Sequence, residues 1–153
     1  MLYLFFSLGN EKYALASEPV RQIVPNVRLR PLPGSPAWIK GLLNYHESVV
    51  PVIDLSTLTQ GQPVPDVLGS RIILIERGTE GVRLMGLLAE KVLEVHSISE
   101  DEIRSSGVQA SGASGLGRVA IQHGEMIHIV AFDDLLSDEQ KSELFLEVAG
   151  GDS

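Results

Sequence analysis

The stretch that decides the fold is Trp38-Ile39-Lys40-Gly41-Leu42-Leu43-Asn44-Tyr45-His46-Glu47-Ser48-Val49-Val50-Pro51-Val52-Ile53-Asp54-Leu55. It holds two apolar runs, Trp38 to Leu43 and Val49 to Leu55, around a polar centre, Asn44 to Ser48. Short runs rich in branched aliphatic residues, bounded by polar clusters, read as strands joined by a loop. Asp54 closes the second run, and an aspartate in that place bonds nearby backbone donors.

Toward the N-terminus, residues 31–38 carry Pro31, Pro33 and Pro36 around Gly34. Proline removes backbone donors and fixes φ, so this is an ordered loop. Val20, Ile23, Val24 and Pro25 fit a short helical turn followed by a strand, or one irregular strand. Leu2 to Leu8 and Tyr13 to Ala16 are strands about the turn signal Gly9-Asn10. Toward the C-terminus, residues 59–70 suit a linker. Arg71 to Glu76 and Val82 to Leu88 form a hairpin around Gly78 and Gly81, and Val92 to Ile98 is a further strand. Residues 105–117 are a Ser/Gly/Ala-rich loop, and Val119 to Ile121 and Met126 to Phe132 flank the turn His123-Gly124. A helix over about 137–149 follows, with Ser137 and Gln140 at capping-box spacing.

The spacing also repeats. Tyr13-Ala14-Leu15-Ala16, Val20 and Ile23 are echoed by Met85-Gly86-Leu87-Leu88, Val92 and Val95 at an offset of 72. Val49, Val50, Val52, Ile53, Leu55 and Leu58 match Met126, Ile127, Ile129, Val130, Phe132 and Leu135 at an offset of 77. Two blocks in the same order predict two similar β subdomains, about 15–70 and 71–135, each small enough to need the other's packing.

Composition bounds the function. The chain has 153 residues, is 44% hydrophobic, and has a net charge of −8 from 20 acidic and 12 basic residues. A core is available, and an acidic surface repels nucleic acid and anionic lipid. With no cysteine, disulfides, thiolate metal sites and cysteine nucleophiles are excluded. The apolar start lacks a basic leader, and no apolar run approaches the roughly 20 residues of a membrane span, so a cytoplasmic protein is expected.

Catalytic patterns are weak. His46, His96, His123 and His128 do not pair at metal-ligand spacing, although His123 and His128 share a hairpin with Glu125. Ser114 is no nucleophile elbow, because Leu116 stands where that motif needs glycine. Gly115-Leu116-Gly117-Arg118-Val119-Ala120 lacks the strand before and helix after that a dinucleotide fingerprint requires. Asp133-Asp134 suits a helix start. No nucleophile–base pair emerges, so no enzyme and no cofactor is expected.

Several segments carry a family resemblance. Phe6 to Leu15 looks like the opening hairpin of CheW domains, and Val20-Arg21-Gln22-Ile23-Val24 resembles their V-x-E-I segment. Leu32-Pro33-Gly34-Ser35-Pro36-Ala37-Trp38-Ile39-Lys40-Gly41-Leu42-Leu43-Asn44 resembles LPGxPxWIxGLxNxRG, and Val49 to Leu55 reads VVPVIDL. Met85 to Val95 resembles GLLVDxVxEV. The resemblance implies one domain across 1–153, mainly β. Its architecture would be two pseudo-repeated five-stranded SH3-like β-barrel subdomains, with strands exchanged at their edges and a C-terminal helix. It implies a non-catalytic adaptor that couples chemoreceptor cytoplasmic tips to the regulatory domain of a chemotaxis-type histidine kinase, in the cytoplasm at receptor arrays. Carried over residue by residue, the partner-contact positions would be Val20, Gln22, Gly41, Asn44, His46, Ile72, Gly86 and Val95. For Val20, Ile72 and Val95 the competing role is core packing; for Gly41 and Gly86 it is tight backbone geometry.

Two departures bear on partner choice. His46-Glu47 stands where the family has Arg-Gly, and Gln22 where it has glutamate. Arginine offers a permanent charge and a planar donor fork that histidine lacks. A non-glycine at position 47 predicts a reshaped loop, since positive φ there would cost about 1–2 kcal/mol. These changes suit a specialised pathway. The other readings are a paralogous adaptor of a surface-sensing, pilus or developmental pathway, or a small ligand-binding or hydrolytic barrel with a polar pocket.

Overall fold

The computed structural model describes residues 1–65, 69–77, 83–105, 117–131 and 136. The chain is mainly β. In order, the strands are β1 (Leu2–Leu8), β2 (Glu11–Ala16), β3 (Val20–Pro25), β4 (Ile39–Tyr45) and β5 (Ser48–Asp54). The short helix α1 (Leu55–Gln60) follows, then β6 (Arg71–Arg77), β7 (Arg83–Ala89), β8 (Lys91–Ser97), a 3-10 turn (Glu100–Glu102), β9 (Ile103–Ser105), β10 (Arg118–Gln122) and β11 (Glu125–Val130). The expected C-terminal helix, Ser114 and Asp133-Asp134 lie outside the described residues.

Two sheets result. One has the order β3-β6-β7-β5-β4, the other β8-β1-β2-β11-β10-β9. The five-stranded sheet is built from the consecutive strands β3 to β7 and the six-stranded one joins β1 and β2 to β8 through β11, and each contains one parallel pair, β5·β7 and β11·β2. The sequence repeat reappears in the registers. Val52↔Gly86 and Ile53↔Leu87 in one sheet become Ile129↔Ala14 and Val130↔Leu15 in the other, offsets of 77 and 72. Even the irregularity on β3, between Val20 and Gln22, has its counterpart where β8 pairs with β1 between Leu4 and Phe6. The segment that the sequence left open at Val20 is therefore one irregular strand, bent by a bulge.

Each sheet curls until a strand at or next to one edge comes within side-chain reach of the opposite outer strand. The Tyr45 hydroxyl on β4 donates to the Gln22 side-chain oxygen on β3. In the six-stranded sheet Gln122 Nε2 on β10, the counterpart of Tyr45, donates instead to the Ser97 carbonyl at the end of β8, at 3.0 Å. No backbone pairing joins β4 to β3, or β10 to β8, among the described residues.

Burial explains the apolar runs. On β1, Tyr3 and Phe5 join a cluster with Ala14, Ile98, Ala120, Ile127 and Ile129, whereas Leu4, Phe6 and Leu8 join the main core. A strand buried on both faces loses the alternating pattern, which is why Leu2 to Leu8 is almost uniformly apolar. Ile72, Ile73, Leu74 and Ile75 on β6 are all fully buried, each contributing roughly 1.5–3 kcal/mol of hydrophobic free energy.

The expected linker is a different kind of segment. Thr59 and Gln60 close helix α1, which begins because Asp54 caps it by accepting from the Thr57 N–H at 3.1 Å. Gly61, at φ 74°, ends it. The other Asp54 oxygen accepts from Val64 N–H at 3.0 Å, and Val64 is buried in the main core. Asp54 itself is buried, its carboxylate serving backbone donors on both sides of the helix. No helix among the described residues is long and apolar enough to cross a membrane.

Candidate functional site

The turn at the centre of the opening stretch joins β4 to β5 through two residues only, with Tyr45 paired to Ser48. His46 and Glu47 have φ of 48° and 68°. A two-residue hairpin of this hand needs positive φ at both central positions. The loop has thus not been reshaped to spare Glu47; the residue accepts left-handed backbone that glycine would adopt freely.

Around this turn three of the sequence-predicted residues come together. His46 is exposed, its ring edge-on to Tyr45 at 4.4 Å between centroids. Tyr45 reaches across to exposed Gln22, and exposed Asn44 faces Val49 across the hairpin. Arg21 and Glu76 form an ion pair beside Gln22; both are well exposed, and such pairs contribute little. Val20, at the foot of β3, is half-buried against the main core.

Gly41, Ile72 and Gly86 are placed differently. All three are buried. Gly41 has φ 154°, and a Cβ there would lie 2.8 Å from the Arg30 carbonyl oxygen. A Cβ on Gly86 would lie 2.8 Å from an Ile72 methyl and 3.0 Å from a Val52 methyl. In the free protein these residues permit close packing and offer no side-chain surface to a partner, as the packing alternative for them anticipates. Val95 goes the other way: it is 49% exposed, on the outer strand β8.

The sequence-based set omitted Tyr45, which ties the turn to β3, and several exposed apolar residues. Ile23 is 38% and Val49 52% exposed; their repeat equivalents, Val95 and Met126, are 49% and 57% exposed. Ile121, Met126's cross-strand neighbour, is also well exposed. The repeat carries this signal, because Val49 and Met126 match at the offset of 77.

The histidines are used singly. His128 Nε2 lies 3.2 Å from a Glu11 oxygen, and His96 Nε2 lies 3.3 Å from Glu94. Glu125, the third ligand considered with His123 and His128, pairs with Lys12 at 2.5 Å. No group of three metal-binding side chains occurs among the described residues. The Glu102 carboxyl is held below the ordinary value, first by the Ser99 N–H and then by the Gln122 side chain.

The model of the CheW-like domain matches residues 2–140. The chain is similar to the chemotaxis protein CheW of Klebsiella aerogenes, with 27% identity over 90% of this chain and 82% of that protein. It is also similar to protein FrzA of Myxococcus xanthus, with 30% identity over 88% and 84%. The crystal structure of the scaffolding protein TtCheW from Thermoanaerobacter tengcongensis superposes with a TM-score of 0.75, at 28% identity, over 86% of this chain and 84% of that one. The chain belongs to the CheW family, the non-catalytic adaptors of chemotaxis signalling.

Proposed function

We propose that this protein couples the cytoplasmic tips of chemoreceptors to the regulatory domain of a chemotaxis-type histidine kinase, in the cytoplasm at membrane-associated receptor arrays. The observation that carries the reading is duplication. Two sheets of one plan each present exposed apolar side chains at equivalent positions, Ile23 and Val49 on one, Val95 and Met126 on the other. A bridging protein needs two separate apolar surfaces, one for each partner. Holding both at a fixed geometry lets a change in the receptor bias the kinase conformation.

Titration of the purified chain with the kinase regulatory domain and with a receptor cytoplasmic fragment from the same genome tests this. Val49→Asp and Met126→Asp should each weaken one partner at least tenfold and spare the other. Failure of both partners to bind the unmodified chain overturns the reading. His46 is the residue proposed to set receptor preference: His46→Arg should tighten or broaden receptor binding, and unchanged affinity for every receptor tested removes that role.

A further inference from the structure

The two sheets differ where their outer strands meet. In the five-stranded sheet that mouth is filled from within. Tyr45 and Leu84 are half-buried against the main core, and the Tyr45 hydroxyl ends on the Gln22 side chain. By the repeat, Tyr45, Leu84 and Gln22 correspond to Gln122, Lys12 and Glu94. None of these three replacements fills the space. Gln122 turns aside to the Ser97 carbonyl and to Glu102, at 3.0 and 3.2 Å. Lys12 turns to Glu125. Glu94 stays exposed beside His96.

The result is a cavity of ≈ 170 Å³ in the six-stranded sheet, open to solvent and floored by Phe5, Leu93 and Ile127. Glu94 and Lys12 stand at its rim. A closed cavity of about 150 Å³ accommodates a benzene ring, so an aromatic side chain fits this volume. His96, edge-on to Phe5 at 5.2 Å, adds a second aromatic wall. Gln122, Glu125 and His123, the counterpart of His46, complete the lining.

We propose that this cavity receives a tyrosine side chain of a protein partner, its ring over Phe5 and its hydroxyl donating to the Glu94 carboxylate. The molecule supplies the template for this occupant: Tyr45 makes the same arrangement within the other sheet, its hydroxyl on Gln22. A carboxylate in place of the glutamine amide strengthens the bond, since hydrogen bonds to a charged acceptor are about twice as strong as neutral ones. Aromatic anchors seated in pockets are the usual centres of an interface. The proposal rests on reading the chain as a partner-binding protein, and it names the side chain that this end of the molecule recognises.

The experiment titrates the purified full chain with N-acetyl-L-tyrosinamide, followed by NMR. Saturable shifts at Phe5, His96 and His123 are expected, and N-acetyl-L-phenylalaninamide should bind at least fivefold more weakly. Gln122→Tyr fills the cavity from within and should abolish the response, with amide dispersion showing a retained fold. If that variant does not fold, Glu94→Ala should remove the preference for tyrosine over phenylalanine. Tyr45→Gln should open the other mouth and add shifts at Gln22 and His46. No saturable shift in the unmodified chain, an undiminished response in folded Gln122→Tyr, or equal binding of the two probes overturns the proposal. Neither kinase nor receptor is present, so this failure is separate from failure of the coupling reading.

Discussion

The hairpins β4–β5 and β10–β11 share one design and differ in what it holds. Both close through two residues of positive φ that begin with histidine, His46-Glu47 at 48° and 68°, and His123-Gly124 at 50° and 77°. In both, the residue before the turn reaches the far outer strand, Tyr45 to β3 and Gln122 to β8. The first hairpin carries a strained glutamate, a filled mouth and an aspartate that starts a helix. The second carries glycine, an open mouth, and Ala131 where the first has Asp54. A repeated backbone plan thus tolerates divergence at the turn, the mouth and the exit, the places where side chains meet solvent or begin the next element.

Removing Asp54 should break the comparison most. Asp54→Ala leaves the buried Val64 N–H and the Thr57 N–H without their acceptor, and should destabilise the chain by about 2–4 kcal/mol. Ala131, its counterpart, has no such duty, so Ala131→Ser should change the urea midpoint little. An Asp54→Ala midpoint equal to that of the unmodified chain removes this difference between the hairpins.

The parallel pairs give the next effect. Gly86 and Ala14 are equivalent, but the Cβ that Ala14 carries would at Gly86 meet methyls of Ile72 and Val52. Gly86→Ala should cost about 1–3 kcal/mol through overpacking, and Ala14→Gly about 0.5–1 kcal/mol through backbone entropy. Thermal unfolding of the two variants ranks them, and the reverse order would show that the cores adapt alike.

Exchange at the turns is smaller and has opposite signs. Glu47→Gly should stabilise by about 1–2 kcal/mol and Gly124→Glu should destabilise by a similar amount, because left-handed backbone is costly for a residue with a Cβ. Open space around a Cβ at Gly124 isolates the backbone effect. Denaturant midpoints that move in the same direction would deny that the two turns are alike.

The least effect is acid-dependent and belongs to the second hairpin alone. Glu102 holds the Ser99 N–H at 2.9 Å and receives Gln122. Its folded carboxyl titrates below the ordinary 4.5, so its contribution is complete above 4.5 and is lost as the pH falls through the lower folded value. The Ser99 amide resonance should move in that lower range. A midpoint at or above 4.5 contradicts the assignment.

Sequence alone determined most of the strands, the repeat and the family, but left β3 open and showed no sign of β9. Apolar runs and turn residues are local, and the offsets of 72 and 77 survive in the registers because paired strands must keep the same faces buried. It also identified Gln22, Asn44 and His46 as partner-contact candidates, with Gln22 and His46 expected at the surface. Only the tertiary structure decided that Gly41, Ile72 and Gly86 are buried, that the expected linker starts inside α1, and that Tyr45 is the residue tying the turn to β3. The reason is physical: periodicity reports which face of a strand is apolar, but the same isoleucine or glycine can stand at a core or an edge. Which of these it occupies depends on strands from the far half of the chain, and β1, β2, β6 and β7 pair across that distance.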